Sequence, residues 1–317
     1  MKRILLFGGF GFIGTNILNF IDECLSDKYS VIVFDRIPAH PSGKHFKCVE
    51  NIFVGDFLDN VFVESVFASY SFDYVFHLIS STVPATSDNI VFDIESNLIP
   101  TIRLLNIMKL NNVSNIVFLS SGGAIYGECH EKKAHKEDDD LRPLSSYGIV
   151  KLTIEKYLYL FHKLYDINSL ILRLSNSYGP YHYSLKQGII NVALRKAANG
   201  ENVTVWGDGK SKKDYIYIQD FCMILFTLID MQFSYEVFNI ASGETLSLNQ
   251  ILLEIQRQYP DLRWENRPAN INDVLHFKLD ITKLKNVIGD FSFTSFNNGL
   301  SQTIHWMENS IKENCKM

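Results

Sequence analysis

The chain has 317 residues, of which 46% are hydrophobic and 21% charged, and its formal net charge at pH 7 is −5. This composition is normal for a globular protein with a buried core. No run of Lys and Arg stands out, so nucleic acid is not an expected partner. The apolar stretch "FCMILFTLIDM" is too short to span a membrane, so no membrane association is expected.

The cysteines are five in number, at positions 24, 48, 129, 222 and 315, and they form no CxxC pair. This pattern argues against a disulfide framework and favours a reducing compartment, so a cytoplasmic location is predicted. Cys129, His130 and His135 lie close together in a polar stretch. A metal site would need a fourth ligand and a rigid frame, and no metal is therefore predicted.

In the first half of the chain, short apolar runs alternate with segments of helical periodicity. The predicted strands are "RILLFGG", "YSVIVFDR", "DYVFHLIS", "SNIVFLSS" and "NSLILRLSN", and the predicted helices are "IGTNILNFIDECLS", "DNVFVESVFASY", "DIESNLIPTIRLLNIMKLNN" and "SYGIVKLTIEKYLYLFHKLYD". Strands rich in Val, Ile and Phe that alternate with helices predict a parallel sheet covered on both faces. Right-handed crossovers then give an α/β, doubly wound Rossmann fold.

After about residue 180 the alternation is looser. Helices are predicted for "QGIINVALRKAANG", "DFCMILFTLIDM" and "SLNQILLEIQRQY", the last capped by Ser247, with short strands in "VTVWG" and "EVFNIA". We expect a smaller α/β substrate-binding region here. The predicted domains are 1–178 and 179–317. No linker separates them, so elements of one can interleave with elements of the other.

Three glycines follow the first strand and open the first helix: Gly8, Gly11 and Gly14, in G-x-x-G-x-x-G spacing. In this context one glycine permits a tight turn, the next admits a pyrophosphate to the helix N-terminus, and the third lets the helix pack on the strand. Asp35 ends the second strand, where its carboxylate would accept hydrogen bonds from a ribose and repel a 2′-phosphate. The motif therefore predicts NAD rather than NADP, a preference that Arg36 weakens slightly.

Tyr147 and Lys151 are spaced i, i+4 on the long predicted helix, so they share one face. A phenol has an ordinary pKa near 10, too high for a base at pH 7. A nearby ammonium and an oxidised nicotinamide would both favour the phenolate, and we expect them to lower the pKa of Tyr147 by about 3 units. The pair predicts a catalytic acid/base at the cofactor.

The two motifs together resemble the extended short-chain dehydrogenase/reductase superfamily, and within it the NAD-dependent nucleotide-sugar epimerase/dehydratase family with its UDP-glucose 4-epimerases. Further stretches carry the resemblance: "VGDFLD", "VFHLIS", "SSGGAIYG", "RLSNSYGP", "VWGDGKSKKDYIYIQD" and "FNIASGETLSL". The resemblance implies that the cofactor site also includes Phe12, Ile13, Asp56, Phe57, Leu78, Ile79, Ser80 and Asn97. It implies a substrate site that includes Ser121, Gly122, Asn176, Gly188, Thr204, Trp206, Lys213 and Asp273.

The resemblance implies chemistry at the C4 position of a sugar, with Tyr147 taking the hydroxyl proton and Lys151 holding the nicotinamide ribose. An epimerase returns the hydride to the other face of the 4-keto sugar. A dehydratase of this family commonly has an Asp-Glu pair where this chain has Gly122, Gly123 and Ala124, so dehydration is not predicted.

Three departures from the family pattern concern the site. Relatives usually place a catalytic Ser or Thr at the position of Gly122, and we expect Ser121 to take that role or the enzyme to be slow. Lys213 stands where related enzymes often have an arginine for the diphosphate, and Asn270 where they have a second one. Arg267 is an alternative from nearby.

The favoured hypothesis is an NAD-dependent 4-epimerase of a nucleotide sugar, with UDP as the expected nucleotide. A 4-keto-sugar reductase that uses NADH or NADPH is the first alternative, and a catalytically weak relative that binds a dinucleotide is the second. Two helices with wide apolar faces, Asn97–Met108 and Tyr147–Leu164, predict a homodimer by analogy with similar proteins.

Overall fold

A computed structural model describes residues 1–82, 89–127, 133–185, 187–268 and 277–314. In chain order the strands are β1 (Lys2–Phe7), β2 (Tyr29–Asp35), β3 (Val49–Val54), β4 (Tyr74–His77), β5 (Asn115–Ser121), β6 (Asn168–Leu174), β7 (Asn176–Tyr178), β8 (Val203–Trp206), β9 (Lys212–Tyr217), β10 (Tyr235–Ile240), β11 (Thr245–Ser247) and β12 (Trp264–Arg267).

The helices are α1 (Phe12–Cys24), α2 (Asn60–Ser69), α3 (Ile90–Asp93), α4 (Ile99–Leu110), α5 (Gly122–Ile125), α6 (Ser146–Tyr165), α7 (Ile189–Ala198), α8 (Ile218–Asp230), α9 (Leu248–Gln258), α10 (Thr282–Ile288) and α11 (Phe296–Asn314). One π-helical turn, Ile94–Leu98, joins α3 to α4, so the predicted helix over this stretch is interrupted rather than regular.

The main sheet has the strand order β10-β6-β5-β4-β1-β2-β3. β1 pairs in parallel with both β2 and β4, and parallel pairing continues through β5 to β6. Because the chain first builds outward from β1 to β3 and then crosses to β4, the order reverses beside β1, which is where such sheets bind ligands. The predicted doubly wound Rossmann fold is confirmed.

The core of this sheet is aliphatic and aromatic. Leu5, Phe7, Ile32, Phe34 and Phe118 are fully buried in one cluster. Burial on both faces explains why the strands read as continuous apolar runs.

The second part of the chain has two small sheets, β11-β9-β7 and β12-β8. Its separate core includes Tyr178, Leu194, Val205, Ile251 and Leu300. Ser247 caps α9 as predicted, within a capping box in which Gln250 returns a hydrogen bond to the backbone of Ser247. The "EVFNIA" stretch, expected among these elements, instead supplies β10 at the edge of the main sheet.

The described chain divides into two compact units by its internal contacts. The first unit takes its residues from 1–127, 140–174 and 222–238, and the second contains the rest. The predicted domain boundary at residue 178 stays a prediction. Among the described residues, we find no helix with both the length and the apolar character that crossing a membrane requires.

Candidate active site

The turn between β1 and α1 is shaped by its glycines. Gly8 has φ 81°, a conformation that L side chains rarely adopt. At Gly14 an added Cβ would lie 2.6 Å from the Gly9 carbonyl oxygen and closer still to that of Gly8. The helix therefore begins in direct contact with the strand end, as the motif predicts.

The N-terminus of α1 is suited to an anion. Its N-cap is Gly11, no side chain caps it among the described residues, and its first turn has no acidic residue. The first amide N–H groups of a helix lack intrahelical acceptors and lie at the positive end of its dipole. These residues fit the pyrophosphate of a dinucleotide, whose phosphates would accept from those amides.

Asp35 ends β2 beside this turn. Its Oδ2 accepts a hydrogen bond from the Phe10 amide at 2.9 Å, and its Oδ1 accepts from the Arg36 amide at 2.7 Å. Oδ1 also accepts from the Ile37 amide at 3.4 Å, whereas Oδ2 has a further lone pair for a ribose hydroxyl. Arg36 turns away to form a 3.2 Å ion pair with Asp56, whose pKa is lowered mainly by the Leu58 amide and further by Arg36.

The segment after β4 lies against the glycine turn. The Leu78 amide donates to the Phe7 carbonyl at 3.2 Å, and the Ile79 side chain lies 3.3 Å from where a Cβ of Gly8 would stand. Asn97, on the π-helical turn, accepts from the Ser81 amide at 2.8 Å and thereby holds this segment in place. Phe57 has a buried side chain that packs edge-on against Phe7, so only its backbone can face a cofactor.

The end of β5 places Ser121 at the edge of the sheet where α5 begins. Ser121 is the last residue of the strand, and α5 begins at once with Gly122. Tyr147 is the second residue of α6, and the Ser121 hydroxyl acts to lower the pKa of its phenol against the larger effect of burial. Gly148 lets the start of α6 pack closely on α5, because a Cβ there would lie 2.9 Å from Pro143 and closer to the Ala124 carbonyl oxygen.

The pKa of Tyr147 is raised by burial to about 12, and hydrogen bonds with the Ser121 and Ser80 hydroxyls oppose that rise. The predicted lowering concerns the site with NAD bound, and it stays a prediction. Without the cofactor, the loss of water around the phenol changes its pKa more than the two serine hydroxyls do. We therefore expect ionisation of Tyr147 to need the positive charge of the bound cofactor in addition to that of Lys151.

Lys151 lies one helical turn further along α6 and is buried. Its Nζ donates to the Leu119 carbonyl at 2.9 Å and lies 5.8 Å from the centroid of the Tyr147 ring. Burial lowers its pKa to about 8, while the Glu155 carboxylate raises it. The ammonium is thus fixed beside Tyr147 as the i, i+4 spacing predicts.

A buried network next to Lys151 was not foreseen from the sequence. Glu155 accepts from the Ser120 hydroxyl at 2.5 Å and from Arg173 Nη2 at 2.8 Å. Arg173 also donates to the Tyr126 hydroxyl at 2.7 Å. Tyr147, Lys151 and Glu155 occupy successive turns of α6 and contact consecutive residues of β5, a relationship that the i, i+4, i+8 spacing of Glu155 could have indicated.

Among the described residues, the predicted substrate residues other than Ser121 and Gly122 belong to the second unit. Asn176 donates from its amide to the Asp214 carbonyl at 3.0 Å, and Lys213 precedes Asp214 in β9. Gly188 is the left-handed N-cap of α7. Thr204 and Trp206 lie on β8, where Trp206 is 60% exposed and in register with Arg267 of β12.

Four residues that the sequence analysis singled out are not described by the structure. Asp273 and Asn270 lie outside the described residues, as do Cys129 and His130. Within the described part of the chain, no group of three or more His, Cys, Asp or Glu residues is placed to hold a metal ion.

Comparison with known proteins decides the family. The model of the NAD dependent epimerase/dehydratase family matches residues 4–241, which is most of the chain. The chain belongs to this family. The prediction of an NAD-dependent nucleotide-sugar epimerase/dehydratase is thereby confirmed at family level, and NAD is confirmed as the family's cofactor.

Members of the epimerase/dehydratase family with solved structures share the whole fold. A UDP-glucose 4-epimerase of Thermotoga maritima with UDP-glucose has a TM-score of 0.89 and 28% identity, and the match covers 98% of this chain and 100% of that chain. The UDP-glucose 4-epimerase of Thermus thermophilus in complex with NAD has a TM-score of 0.87 and 26% identity, with 97% and 99% covered.

A relative with a different reaction has a comparable sequence identity. The dTDP-4-dehydro-6-deoxyglucose reductase of Escherichia coli is 29% identical over 256 residues, which are 80% of this chain and 80% of that protein. The family therefore establishes an NAD-dependent enzyme of the epimerase/dehydratase type. The family does not determine which reaction the enzyme catalyses, so that question must be argued from the residues of the site.

Proposed function

We propose that this protein is an NAD-dependent 4-epimerase of a nucleoside-diphosphate sugar, most simply a UDP-hexose. The arrangement of Ser121, Tyr147 and Lys151 at the carboxyl end of β5 carries the proposal. This places a hydroxyl, a phenol and an ammonium together in the unit that contains the glycine turn. Similarity over nearly the full chain to two UDP-glucose 4-epimerases supports the choice of a UDP-sugar.

In the proposed reaction one proton passes between the sugar C4 hydroxyl and the Tyr147 side chain. Tyr147, ionised, accepts the proton of the sugar C4 hydroxyl, and Ser121 donates a hydrogen bond at the same place. Lys151 keeps the phenolate stable by its charge and orients the nicotinamide ribose. NAD supplies the acceptor, and then the donor, of the C4 hydride. Tyr147 returns the proton when the other epimer forms.

The proposed substrate site comes from the second unit. Trp206 offers an exposed indole on which a base can stack, and Thr204 precedes it on the same strand by two residues. Lys213 and Arg267 supply positive charge for the diphosphate, with Asn176 and the Gly188 end of α7 as further contacts. Asp273 stays a sequence prediction.

A 4-keto-sugar reductase is the second candidate. The similarity to the Escherichia coli dTDP-4-dehydro-6-deoxyglucose reductase favours it. The same Tyr147 and Lys151 would then deliver a hydride in one direction only, with Tyr147 donating its proton to the new hydroxyl.

The decisive experiment is incubation of the purified protein with a panel of UDP-, dTDP- and GDP-hexoses, with products identified by NMR. An epimerase converts a sugar to its C4 epimer without added cofactor and retains NAD through purification. A reductase consumes NADH or NADPH in equal amount to a 4-keto sugar. Tyr147→Phe should abolish turnover, whereas the matched variant Tyr159→Phe on the exposed face of α6 should not. Turnover that is unchanged in Tyr147→Phe would contradict the role proposed for the phenol and would favour the catalytically weak dinucleotide-binding relative.

We also propose that the enzyme is a homodimer. α4 and α6 pack side by side, and together with the segment before α4 they expose a set of apolar side chains: Ile94, Ile99, Ile149, Tyr159, Leu160 and Leu164. Pairing with the same helices of a second copy would remove these side chains from water. The cytoplasmic location and the absence of a nucleic-acid partner stay predictions from the sequence.

A further inference from the structure

The central strand of the sheet β11-β9-β7 carries a fully buried aspartate, Asp214. Its carboxylate accepts hydrogen bonds from the 241–244 loop, which joins β10 to β11. Oδ1 accepts from the Ser242 amide at 3.0 Å and from the Ser242 hydroxyl at 3.1 Å, and Oδ2 accepts from the Gly243 amide at 3.1 Å. One carboxylate therefore fastens this loop to β9.

The same residue holds the backbone around two of the proposed substrate contacts. The Asp214 carbonyl accepts from the Asn176 side chain at 3.0 Å, and Lys213 is the preceding residue of β9. The 241–244 loop continues directly into β11, where Leu246 pairs with Lys213 and Thr245 pairs with Asp214. The loop, β11 and the Asn176 side chain are thus all held at one position of β9.

The carboxylate of Asp214 does not itself face a ligand, because it is buried and accepts from the loop through both of its oxygens. Successive side chains of a strand lie on opposite faces, so the half-buried Lys213 side chain lies on the other face of β9. A diphosphate that binds to Lys213 would therefore depend on the backbone that Asp214 holds and would not contact its carboxylate.

We propose that Asp214 is a positioning residue for the diphosphate part of the substrate site. By fastening the 241–244 loop to β9, it fixes the strand from which Lys213 extends and the side-chain amide of Asn176. Hydrogen bonds to a buried, ionised carboxylate are strong, so this arrangement keeps the backbone in one position. The inference rests on the proposed function, since it concerns the nucleoside diphosphate of that substrate.

The test is the affinity of the whole protein for UDP, measured by isothermal titration calorimetry at pH 8. Burial raises the pKa of Asp214 to about 7, so its carboxylate is ionised at that pH. Asp214→Asn offers the loop one acceptor oxygen in place of two, and we expect the affinity for UDP to fall about tenfold. The direction is diagnostic, because a carboxylate that acted only by its charge would repel phosphates. Its removal would then tighten the binding of UDP.

Asp220 is a matched control in the same unit. It is 5% exposed and accepts from the Thr294 amide at 2.8 Å and from the Thr294 hydroxyl at 2.7 Å. Asp220→Asn should therefore disturb a comparable buried contact and keep the wild-type affinity for UDP.

A milder pair of variants decides the question if Asp214→Asn does not fold. Ser242→Ala removes one of the three bonds to Asp214 and should weaken the binding of UDP about two- to fivefold. Thr294→Val removes the matching bond to Asp220 and should leave the affinity for UDP unchanged.

Turnover of UDP-glucose gives an independent readout. Asp214→Asn should raise KM about tenfold and change kcat less than about twofold, because a loss of uniform binding appears in KM. In a Lys213→Met background, Asp214→Asn should reduce the affinity for UDP less than it does in the wild type, since the ammonium that it positions is already absent.

The outcomes separate this inference from the proposed function. A UDP affinity in Asp214→Asn that equals or exceeds that of the wild type would overturn the role of Asp214, and so would an equal loss in Asp220→Asn. A wild-type protein that binds neither UDP nor UDP-glucose would contradict the proposed function, on which this inference depends.

Discussion

Arg173 and Glu155 form a buried salt bridge, with Arg173 Nη2 2.8 Å from Glu155 Oε2 and side chains only 5% and 3% exposed. Glu155 lies one helical turn beyond Lys151, and Arg173 lies on β6 directly beside Ser120 of β5. The bridge therefore ties α6 to two strands at the point where Lys151 and Tyr147 lie. A change that breaks the bridge should therefore affect both the stability of the core and the positions of Lys151 and Tyr147.

Breaking this bridge on one side should be strongly destabilising. Glu155→Gln leaves the Arg173 charge buried without its carboxylate and should lower the free energy of unfolding by about 3–5 kcal/mol. Denaturant unfolding measures this. The control is Glu254→Gln, which removes a 2.7 Å pair with exposed Arg257 and should cost less than about 1 kcal/mol. A double variant, Glu155→Met with Arg173→Met, should be closer to wild type than Glu155→Gln. Equal losses in Glu155→Gln and Glu254→Gln would contradict the argument.

The activity should fall in alkaline solution. Burial lowers the pKa of Lys151 to about 8, and the proposed mechanism needs its ammonium. Above that pH the amine becomes neutral and no longer favours the phenolate, so kcat should decline through pH 8. The profile of kcat at saturating substrate between pH 6 and 10 measures this. His77 does not contribute, because burial lowers its pKa to about 3 and it stays neutral throughout.

Replacement of Lys151 by arginine tests whether the loss of its charge causes the decline of kcat near pH 8. An arginine keeps its charge at every pH of the measurement. Lys151→Arg should therefore have a lower kcat but no decline near pH 8, while Lys156→Arg on the exposed face of the same helix keeps the wild-type profile. A decline that survives in Lys151→Arg would assign it to another group.

A methyl group at Gly14 should disturb both the fold and the cofactor site. The added Cβ would overlap the backbone oxygens of Gly8 and Gly9, so α1 must move away from β1. Overpacking of this kind costs about 1–3 kcal/mol, and the displaced helix N-terminus should bind NAD more weakly. At Gly11 a Cβ would be 3.4 Å from the nearest atom, an ordinary contact. Gly11→Ala should thus keep the unfolding free energy that Gly14→Ala loses.

Removal of the charge of Asp35 should weaken the discrimination between cofactors. The carboxylate stands beside the glycine turn, where it would repel a 2′-phosphate. Asp35→Asn should lower the ratio of NAD to NADP affinity by about tenfold, which corresponds to about 1.4 kcal/mol. Isothermal titration calorimetry measures both affinities. Asp22→Asn is the matched control, since Asp22 also accepts two backbone amides, those of Lys47 and Cys48, but lies outside the glycine turn.

A charge on the exposed face of α6 should dissociate the proposed dimer. Leu160 is 43% exposed among apolar neighbours, and Leu160→Asp would bury a carboxylate in the interface. Light scattering should give the mass of two chains for the wild type and of one chain for this variant. Leu253 on α9 is 52% exposed, and Leu253→Asp should not change the mass. A wild-type protein with the mass of one chain would refute the homodimer.

The features that could be predicted from the sequence are those whose physics is local. Gly8, Gly11 and Gly14 lie within seven residues, and Tyr147 and Lys151 within one turn of a helix. Their spacing alone places them on a strand-to-helix turn and on one helix face. The alternation of apolar runs likewise predicted the parallel sheet, because strands buried on both faces need apolar residues throughout.

The tertiary structure decided what depends on the register between distant segments. Ser120 and Arg173 are neighbours only because β5 and β6 pair in one particular register, and Glu155 meets both only because α6 crosses that edge. The same packing brings Lys151 of α6 to the Leu119 carbonyl of β5 across 32 positions of sequence. Burial also raises the pKa of Tyr147, and this loss of water is a property of the whole fold that cannot be read from the residues beside Tyr147 in the sequence.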